Sequence, residues 1–278
     1  MRFKAKVLQD KLLVFAGLIG AIEKIGAACI VHLTETTIHL SVQENGSEGV
    51  DVYAELQQGM LFHEYRIESR TNNEILFEAN ASLLLQALNS GRTAPTCQVK
   101  LAKRAGQPCL SVETRALEID VVHDIPVKVM PAHEASYYRP PDVQMPQVQL
   151  ELPHHRSLRT VIERMKAIDK FLFVDADMGG QLVFRVEKAD ATIKTFYTNL
   201  TPRFEAMDEE TCRKNMSSVK VDVKKLAAVL SMYALRFETA ICCIIGGYSL
   251  VLHVILSIGT LTYYVPVMDA GDDIAHGA

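Results

Sequence analysis

Motifs that mark the common catalytic sites are missing from this sequence. No G-x-G-x-x-G follows a predicted strand, and there is neither a phosphate-binding P-loop nor a G-x-S-x-G nucleophile turn. The six cysteines form no C-x-x-C pair and no ladder of metal-ligand spacings. These absences argue against nucleotide-binding, serine-hydrolase and zinc sites, and they predict reduced, mostly buried thiols in an intracellular protein.

A strong charge of either sign is also absent. The chain has 29 Lys and Arg against 33 Asp and Glu, a net charge of −4, and a pI of about 6.1. Bulk electrostatics therefore do not indicate nucleic-acid binding. Such a role would require cations gathered on one surface of the folded protein.

The C-terminal run Thr239–Met268 contains no Asp, Glu, Lys or Arg. It is longer than the roughly 20 residues that a membrane-spanning helix needs, so a membrane protein is one alternative. However, Gly-Gly-Tyr-Ser at 246–249 and Ser-Ile-Gly-Thr at 257–260 interrupt the run at hairpin spacing, and no Lys or Arg cluster flanks it. The pieces between are rich in Ile, Val, Tyr and Thr. The pattern predicts three buried strands.

The chain repeats itself at an offset of about 140 residues. Pro126 in HDIPV returns as Pro266 in YYVPV, and GQPCLSVE from Gly106 returns as GGYSLVLH from Gly246. Each half then predicts the order strand, helix and three strands, taken twice. The sequence therefore predicts an α+β fold of two similar domains, each of two βαβββ units, with amphipathic helices covering one face of each sheet.

A proline-rich segment separates the two halves. Residues 131–146 contain four prolines, which do not suit the interior of a regular element. We therefore expect an N-terminal domain at 1–130, an extended and exposed connector at 131–146, and a C-terminal domain at 147–278.

A pair of carboxylates offers the best enzymatic alternative. Asp175 and Asp177 stand two residues apart where a predicted strand runs into a Gly-Gly turn, so they share one face of a hairpin. A metal-dependent activity that depends on both would favour an enzyme. Without a supporting motif, we expect no catalytic residues, no metal and no cofactor.

Basic residues are concentrated on the predicted helices of the second half. The helix predicted at 154–168 has one apolar stripe, flanked by Arg156, Arg159, Arg164 and Lys166. The last predicted helix carries Lys224 and Lys225 beside its own apolar stripe. Since the protein as a whole is acidic, this grouping favours a functional surface over a merely solvated face.

Four segments carry a resemblance to a known family: MRFKAKVLQ at the start, NNEILFEA from Asn72, HDIPVKVMP from His123, and the terminal LTYYVPVM. Together with the duplicated halves and the proline-rich connector, they resemble a eukaryotic DNA sliding clamp of the PCNA superfamily. Within that superfamily they resemble most the Hus-type subunit of the heterotrimeric checkpoint clamp, often called nine-one-one.

The resemblance implies a ring of three subunits, with the helices lining a hole for double-stranded DNA and the sheets forming the outer wall. Rad-nine-like and Rad-one-like subunits would complete the ring in the nucleus. An alternative clamp loader would place it at damaged or recessed DNA, where it would support checkpoint signalling and repair proteins without doing chemistry itself. A homotrimeric, PCNA-like replication clamp is the alternative within the same superfamily.

The resemblance also implies roles for individual residues. The DNA-facing set is Arg156, Arg159, Arg164, Lys166, Lys224, Lys225, Lys11 and Lys24. The subunit-edge set is Ile119, Val121, Ile125, Ile193, Thr195 and Tyr197. The first half departs from the family pattern, because Val14 and Phe15 stand where PCNA places two lysines in its first helix.

Overall fold

The computed structural model describes residues 1–43, 49–92, 94–115, 119–153, 157–203 and 216–268. The first half contains β1 (Arg2–Val7), α1 (Gln9–Glu23), β2 (Ala28–Leu33), β3 (Thr37–Val42), β4 (Asp51–Gln57), α2 (Gln58–Leu61), β5 (Phe62–Glu68), β6 (Ile75–Asn80), α3 (Ala81–Ser90), β7 (Thr96–Arg104), β8 (Gln107–Arg115) and β9 (Asp120–Met130). The second half contains β10 (Val148–Glu151), α4 (Ser157–Met165), β11 (Phe171–Ala176), β12 (Leu182–Lys188), β13 (Ala191–Tyr197), β14 (Ser217–Asp222), α5 (Val223–Val229), β15 (Thr239–Ile245), β16 (Ser249–Leu256) and β17 (Gly259–Pro266).

Two antiparallel sheets organise these strands. One has the order β10-β15-β16-β17-β4-β3-β2-β6-β9-β8-β7-β1-β5, and the other has the order β13-β12-β11-β14. The pairing of β17 with β4 joins the two halves in one continuous sheet. The predicted order of strand, helix and three strands occurs four times, and β5 and α2 are additions that the sequence pattern did not reveal.

Alternation and capping explain the local structure. In β1, Phe3, Ala5 and Val7 are buried while the residues between them are more exposed. Asn80 caps helix α3, since its side-chain oxygen accepts a hydrogen bond from the Leu83 backbone N–H at 3.0 Å. Helix α1 ends at Glu23, because the chain turns back through hydrogen bonds to the Ile22 carbonyl.

The internal repeat extends to the register of the strands. Cys109 in β8 pairs with Pro126 in β9, and Ser249 in β16 pairs with Pro266 in β17. Both members of the second pair lie 140 residues after those of the first. The sequence repeat therefore reflects one supersecondary unit used twice in the same geometry.

The uncharged C-terminal run forms the three predicted strands, β15, β16 and β17. At the last hairpin, Gly259 has φ +149, and a Cβ there would collide with the Glu55 carbonyl of the neighbouring strand. Tyr263 is fully buried in this region. Among the described residues, no helix is both long enough and apolar enough to cross a bilayer.

The connector is only partly extended. A 3-10 helix runs from Ala132 to Tyr138, and the chain to Val148 follows without regular structure. Ala135 is buried against Ile30 and Leu76, and Tyr138 packs beside them. The expectation of an extended and exposed connector is thus wrong for its first part, because Ala135 and Tyr138 pack against apolar residues of the sheet.

Candidate nucleic-acid surface and subunit edges

Helix α4 combines a buried stripe with an exposed basic face. Leu158, Ile162 and Met165 are buried in the core. Their spacing of three and four residues leaves Arg159 and Arg164 on the exposed side. The helix therefore places two guanidinium groups in solvent while its other face anchors it to the sheet.

Two other predicted basic residues adjoin α4 in the sequence. Lys166 is exposed, and its Nζ lies 3.6 Å from the Glu163 carboxylate in an i,i+3 pair. This pairing reduces the positive charge that Lys166 offers to a partner. Arg156 lies outside the described residues.

Helix α5 presents its lysines in its first turn. Asp222 caps the helix, since its Oδ1 accepts hydrogen bonds from the backbone N–H groups of Lys224 at 2.7 Å and Lys225 at 3.3 Å. Lys224 is exposed and Lys225 is half-buried. Helices α4 and α5 contact each other, so their exposed cations lie on neighbouring helices.

The basic residues of α1 are engaged locally. The Lys11 side chain is 24% exposed and its Nζ lies 3.5 Å from Asp10. Lys24 lies 3.0 Å from Glu23, and its hydrogen bond lowers the pKa of that carboxyl. Each predicted cation of the first half thus has an acidic neighbour in the sequence.

The outward surface of the first-half helices is largely uncharged. Leu13 in α1 is 50% exposed, and Leu83 in α3 is 42% exposed. Gln86, Asn89 and Ser90 are the other exposed residues of α3. Phe15 is buried, and Val14 packs against the core.

Strands β9 and β13 provide open sheet edges. β13 pairs only with β12, so its other edge has no partner among the described strands. β9 pairs with β8 over residues 120–126 and also with β6 over residues 127–130. Its first part therefore keeps one edge open. Unpaired edges of this kind are templates for pairing with another chain.

Side chains at the two edges differ in exposure. Ile119 is 65% exposed and Val121 is half-buried. On β13, Ile193 is 40% exposed, whereas Thr195 and Tyr197 are half-buried. Ile125, predicted with them, is only 3% exposed and lies in the core, so that it could serve an edge through its main chain alone.

The two carboxylates of the enzymatic alternative are committed to structure. Asp175 is buried and accepts two hydrogen bonds from Arg185, at 2.8 and 3.1 Å, and one from the Ser218 hydroxyl. Asp177 accepts from the backbone N–H groups of Gly179 and Gln181 and so shapes the turn. Among the described residues, no group of three or more His, Cys, Asp or Glu is arranged to hold a metal ion.

The cysteines behave as core residues. Five described cysteines are free, and four of them are buried. Burial raises the pKa of Cys97 to about 11 and that of Cys243 to about 12, so both thiols stay protonated near neutral pH. Cys242 and its neighbour Cys243 sit on opposite faces of β15, one buried and one partly exposed, as the strand prediction requires.

A cavity of about 500 Å³ lies between the connector and the outer face of β2, β3 and β4. His32 and His39 stack inside it with ring centroids 5.6 Å apart, and Tyr138 closes one side. Burial lowers the pKa of His39; Glu55 opposes this shift, while His32 and Arg139 add to it. Sequence reasoning missed this site, although both histidines fall in predicted neighbouring strands.

The matches to known proteins cover nearly the whole chain. A family model described as Hus1-like protein matches residues 1–269. The checkpoint protein hus1 homolog of Dictyostelium discoideum is 30% identical over 273 residues, which cover 96% of this chain and 99% of that protein. The chain belongs to the Hus1-like family. Checkpoint protein HUS1 of Homo sapiens is 27% identical, with 96% of this chain and 100% of that protein covered.

Solved structures agree on the fold. PCNA from Thermococcus kodakaraensis aligns with a TM-score of 0.70 at 17% identity, covering 96% of this chain and 100% of that one. The proliferating cellular nuclear antigen of Entamoeba histolytica aligns with a TM-score of 0.75 at 11% identity, covering 96% and 99%. The predicted sliding-clamp fold is confirmed. The Hus1-like family membership supports a checkpoint clamp subunit over a homotrimeric replication clamp.

Proposed function

We propose that this Hus1-like chain is a non-catalytic subunit of a three-subunit ring that encircles double-stranded DNA in the nucleus. The ring is loaded at damaged or recessed DNA and supports checkpoint signalling and repair. The observation that carries the proposal is Hus1-like family membership on a PCNA-like clamp fold. The domains proposed are 1–130 and 147–278, joined by the connector 131–146.

The sheet edges support assembly with different partners. A ring needs two unlike edges on each subunit, so that the head of one chain meets the tail of the next. β9 and β13 supply such edges, and Ile119 and Ile193 are exposed apolar side chains beside them. The proposed partners at these two edges are Rad-nine-like and Rad-one-like subunits.

The basic helices support DNA passage through the ring. Arg159, Arg164 and Lys224 are exposed on the surface formed by α4 and α5. A ring holds DNA topologically, so each contact with a phosphate can be weak and replaceable, and the clamp can slide. The residues proposed to face DNA are the predicted set, with α4 and α5 contributing more than α1.

Co-expression of the chain with the two partner subunits tests the assembly. Successive backbone N–H groups of a strand point to opposite sides. Of the two single variants Lys194→Pro and Thr195→Pro, one therefore removes a donor at the open edge and the other removes a donor that faces β12. We expect one of the two to leave a folded, soluble subunit that assembles poorly, whereas Lys194→Ala assembles normally. Native mass measured by light scattering after gel filtration is the readout. A stable ring with both proline variants, or a trimer of this chain alone, would contradict the proposal.

A further inference from the structure

The four-stranded sheet β13-β12-β11-β14 has two unlike faces. Leu172 and Val174 of β11 are buried in the core, with the residues of α4. Phe171 and Phe173 alternate with them and are only partly buried. The face that carries these rings, called here the outward face, is directed away from the helices.

One cross-strand row of the outward face is basic. Lys194 pairs with Arg185, Arg185 pairs with Phe173, and Phe173 pairs with Lys220. Three cations and one aromatic ring thus follow one another across all four strands, a distance of about 14 Å. Like charges directly opposite each other destabilise a sheet, and Lys194 faces Arg185 in this way. The ion pairs of Arg185 with Asp175 and Glu187 offset this repulsion.

Cations surround the two rings. The Arg185 Cζ lies 4.2 Å from the centroid of the Phe173 ring. The Nζ atoms of Lys170 and Lys220 lie 4.8 and 5.1 Å from the centroid of Phe171. These contacts place aromatic surface and positive charge together, which is the chemistry that binds polyanions with flat bases.

The acidic groups nearby are already engaged. Asp175 binds Arg185 through both carboxylate oxygens, and Glu187 pairs with the same guanidinium. These contacts fix the guanidinium plane of Arg185 over Phe173 and leave its positive charge largely neutralised. Lys194, which is exposed, therefore supplies charge that this face offers to a partner.

The corresponding face of the first half is covered. At the offset of 143 residues, Ile30 of β2 corresponds to Phe173 of β11. Ile30 is buried, and Ala135 and Tyr138 of the connector pack beside it. In the described part of the chain, no connector segment lies on Phe173. Among the described residues, the repeat thus leaves Ile30 covered and Phe173 partly exposed.

We propose that the outward face of β13-β12-β11-β14 binds single-stranded nucleic acid. Two or three bases stack on Phe171 and on the guanidinium plane of Arg185, while phosphates lie beside Lys194 and Lys220. A duplex would use the lysines but not the rings, because its bases are stacked inside. Pairing of β13 with another subunit would use its main chain and leave these side chains open.

Fluorescence anisotropy of labelled dT20 with the full chain tests the proposal. Lys194→Ala with Lys220→Ala should lower the salt slope of binding by about 1.4, because each lost phosphate contact on a single strand removes about 0.7. Phe171→Leu should weaken binding about fivefold to a hundredfold, since one stacked base is lost. Lys103→Ala with Lys128→Ala removes the same charge from exposed strand positions of the first half and should have little effect.

The outcomes separate this site from the helical surface and from a protein-binding site. Lys194→Ala with Lys220→Ala should lower dT20 binding more than Arg159→Ala with Arg164→Ala does. The clamp proposal is tested separately by duplex binding of the assembled ring, so failure here is distinct from failure of that proposal. Absence of dT20 binding, or an equal loss with the Lys103 and Lys128 control, would overturn the proposal. It would also be overturned if poly-glutamate displaced dT20 as well as unlabelled dT20 does, because that result would indicate an acidic peptide site. Melting temperatures within a few degrees of the wild type establish that the variants are folded.

Discussion

Helices α1 and α4 occupy the same place in the repeat but present different surfaces. Both bury an apolar stripe, formed by residues such as Ile19 in α1 and Ile162 in α4. On the exposed side, α1 carries Leu13, whereas α4 carries Arg159 and Arg164. The fold therefore constrains the buried stripe and leaves the outward face free to vary.

The difference gives one chain two kinds of helical surface. In the first half, Lys11 and Lys24 lie beside acidic neighbours, and the remaining exposed positions of the helices are mostly uncharged. In the second half, exposed cations cluster on α4 and α5. We expect DNA to be held mainly by the second half of this subunit.

The largest expected effect concerns the buried stripe of α1. Phe15 is 7% exposed in the core, and Phe15→Ala should lower the free energy of unfolding by about 3–5 kcal/mol. Leu13→Ala, two residues away but half exposed, should change it by about 0.5 kcal/mol or less. Urea denaturation measures both values. Equal decreases in the free energy of unfolding would contradict the assignment of Phe15 to the buried side of α1 and of Leu13 to the exposed side.

Adding cations to the first half should reduce the difference in exposed positive charge between the helices of the two halves. Leu13→Lys with Gln86→Lys places two charges on exposed positions of α1 and α3. In the assembled ring, the salt slope of duplex binding should rise by about 1.8, from two additional phosphate contacts. Leu13→Gln with Gln86→Asn is the uncharged control. An unchanged slope would indicate that these helices do not face DNA.

The smallest expected effect concerns His39, which lines the cavity beside the connector. The pKa of His39 is lowered from 6.5 in the fold, because burial opposes its charged form. Its contribution to stability is complete above about pH 6.5 and is lost as the pH falls from there towards the lowered pKa. Melting temperature should therefore decline over that window less steeply in His39→Gln than in the wild type. A steeper decline in the variant would contradict the claim that the fold lowers the pKa of His39.

Strong patterns made much of the fold predictable. The turns at 246–249 and 257–260 located β15, β16 and β17, and the internal repeat gave the order of strand, helix and three strands. β5 was missed because it is an edge strand with little alternation in burial. The 3-10 helix of the connector was missed because the prolines predicted an extended segment. The residues that form this helix lie between Pro131 and Pro140 and include no proline.

The candidate sites were less predictable than the fold. Exposure of Arg159 and Arg164 followed from helical periodicity, but burial of Ile125 depended on how β9 shifts from β8 to β6. The row formed by Lys194, Arg185 and Lys220 also depends on strand register, which the sequence pattern does not specify residue by residue. Tertiary pairing, rather than local pattern, decided these positions.

The salt dependence of duplex binding by the assembled ring tests the central claim most directly. Arg159→Ala with Arg164→Ala should lower the slope by about 1.8 and weaken binding to all sequences alike, because phosphates carry no sequence information. Lys11→Ala with Lys24→Ala should lower it by clearly less, since both lysines lie beside acidic side chains. A larger loss with the first-half pair, or no loss with either pair at low salt, would contradict the claim that the second half of this subunit holds DNA.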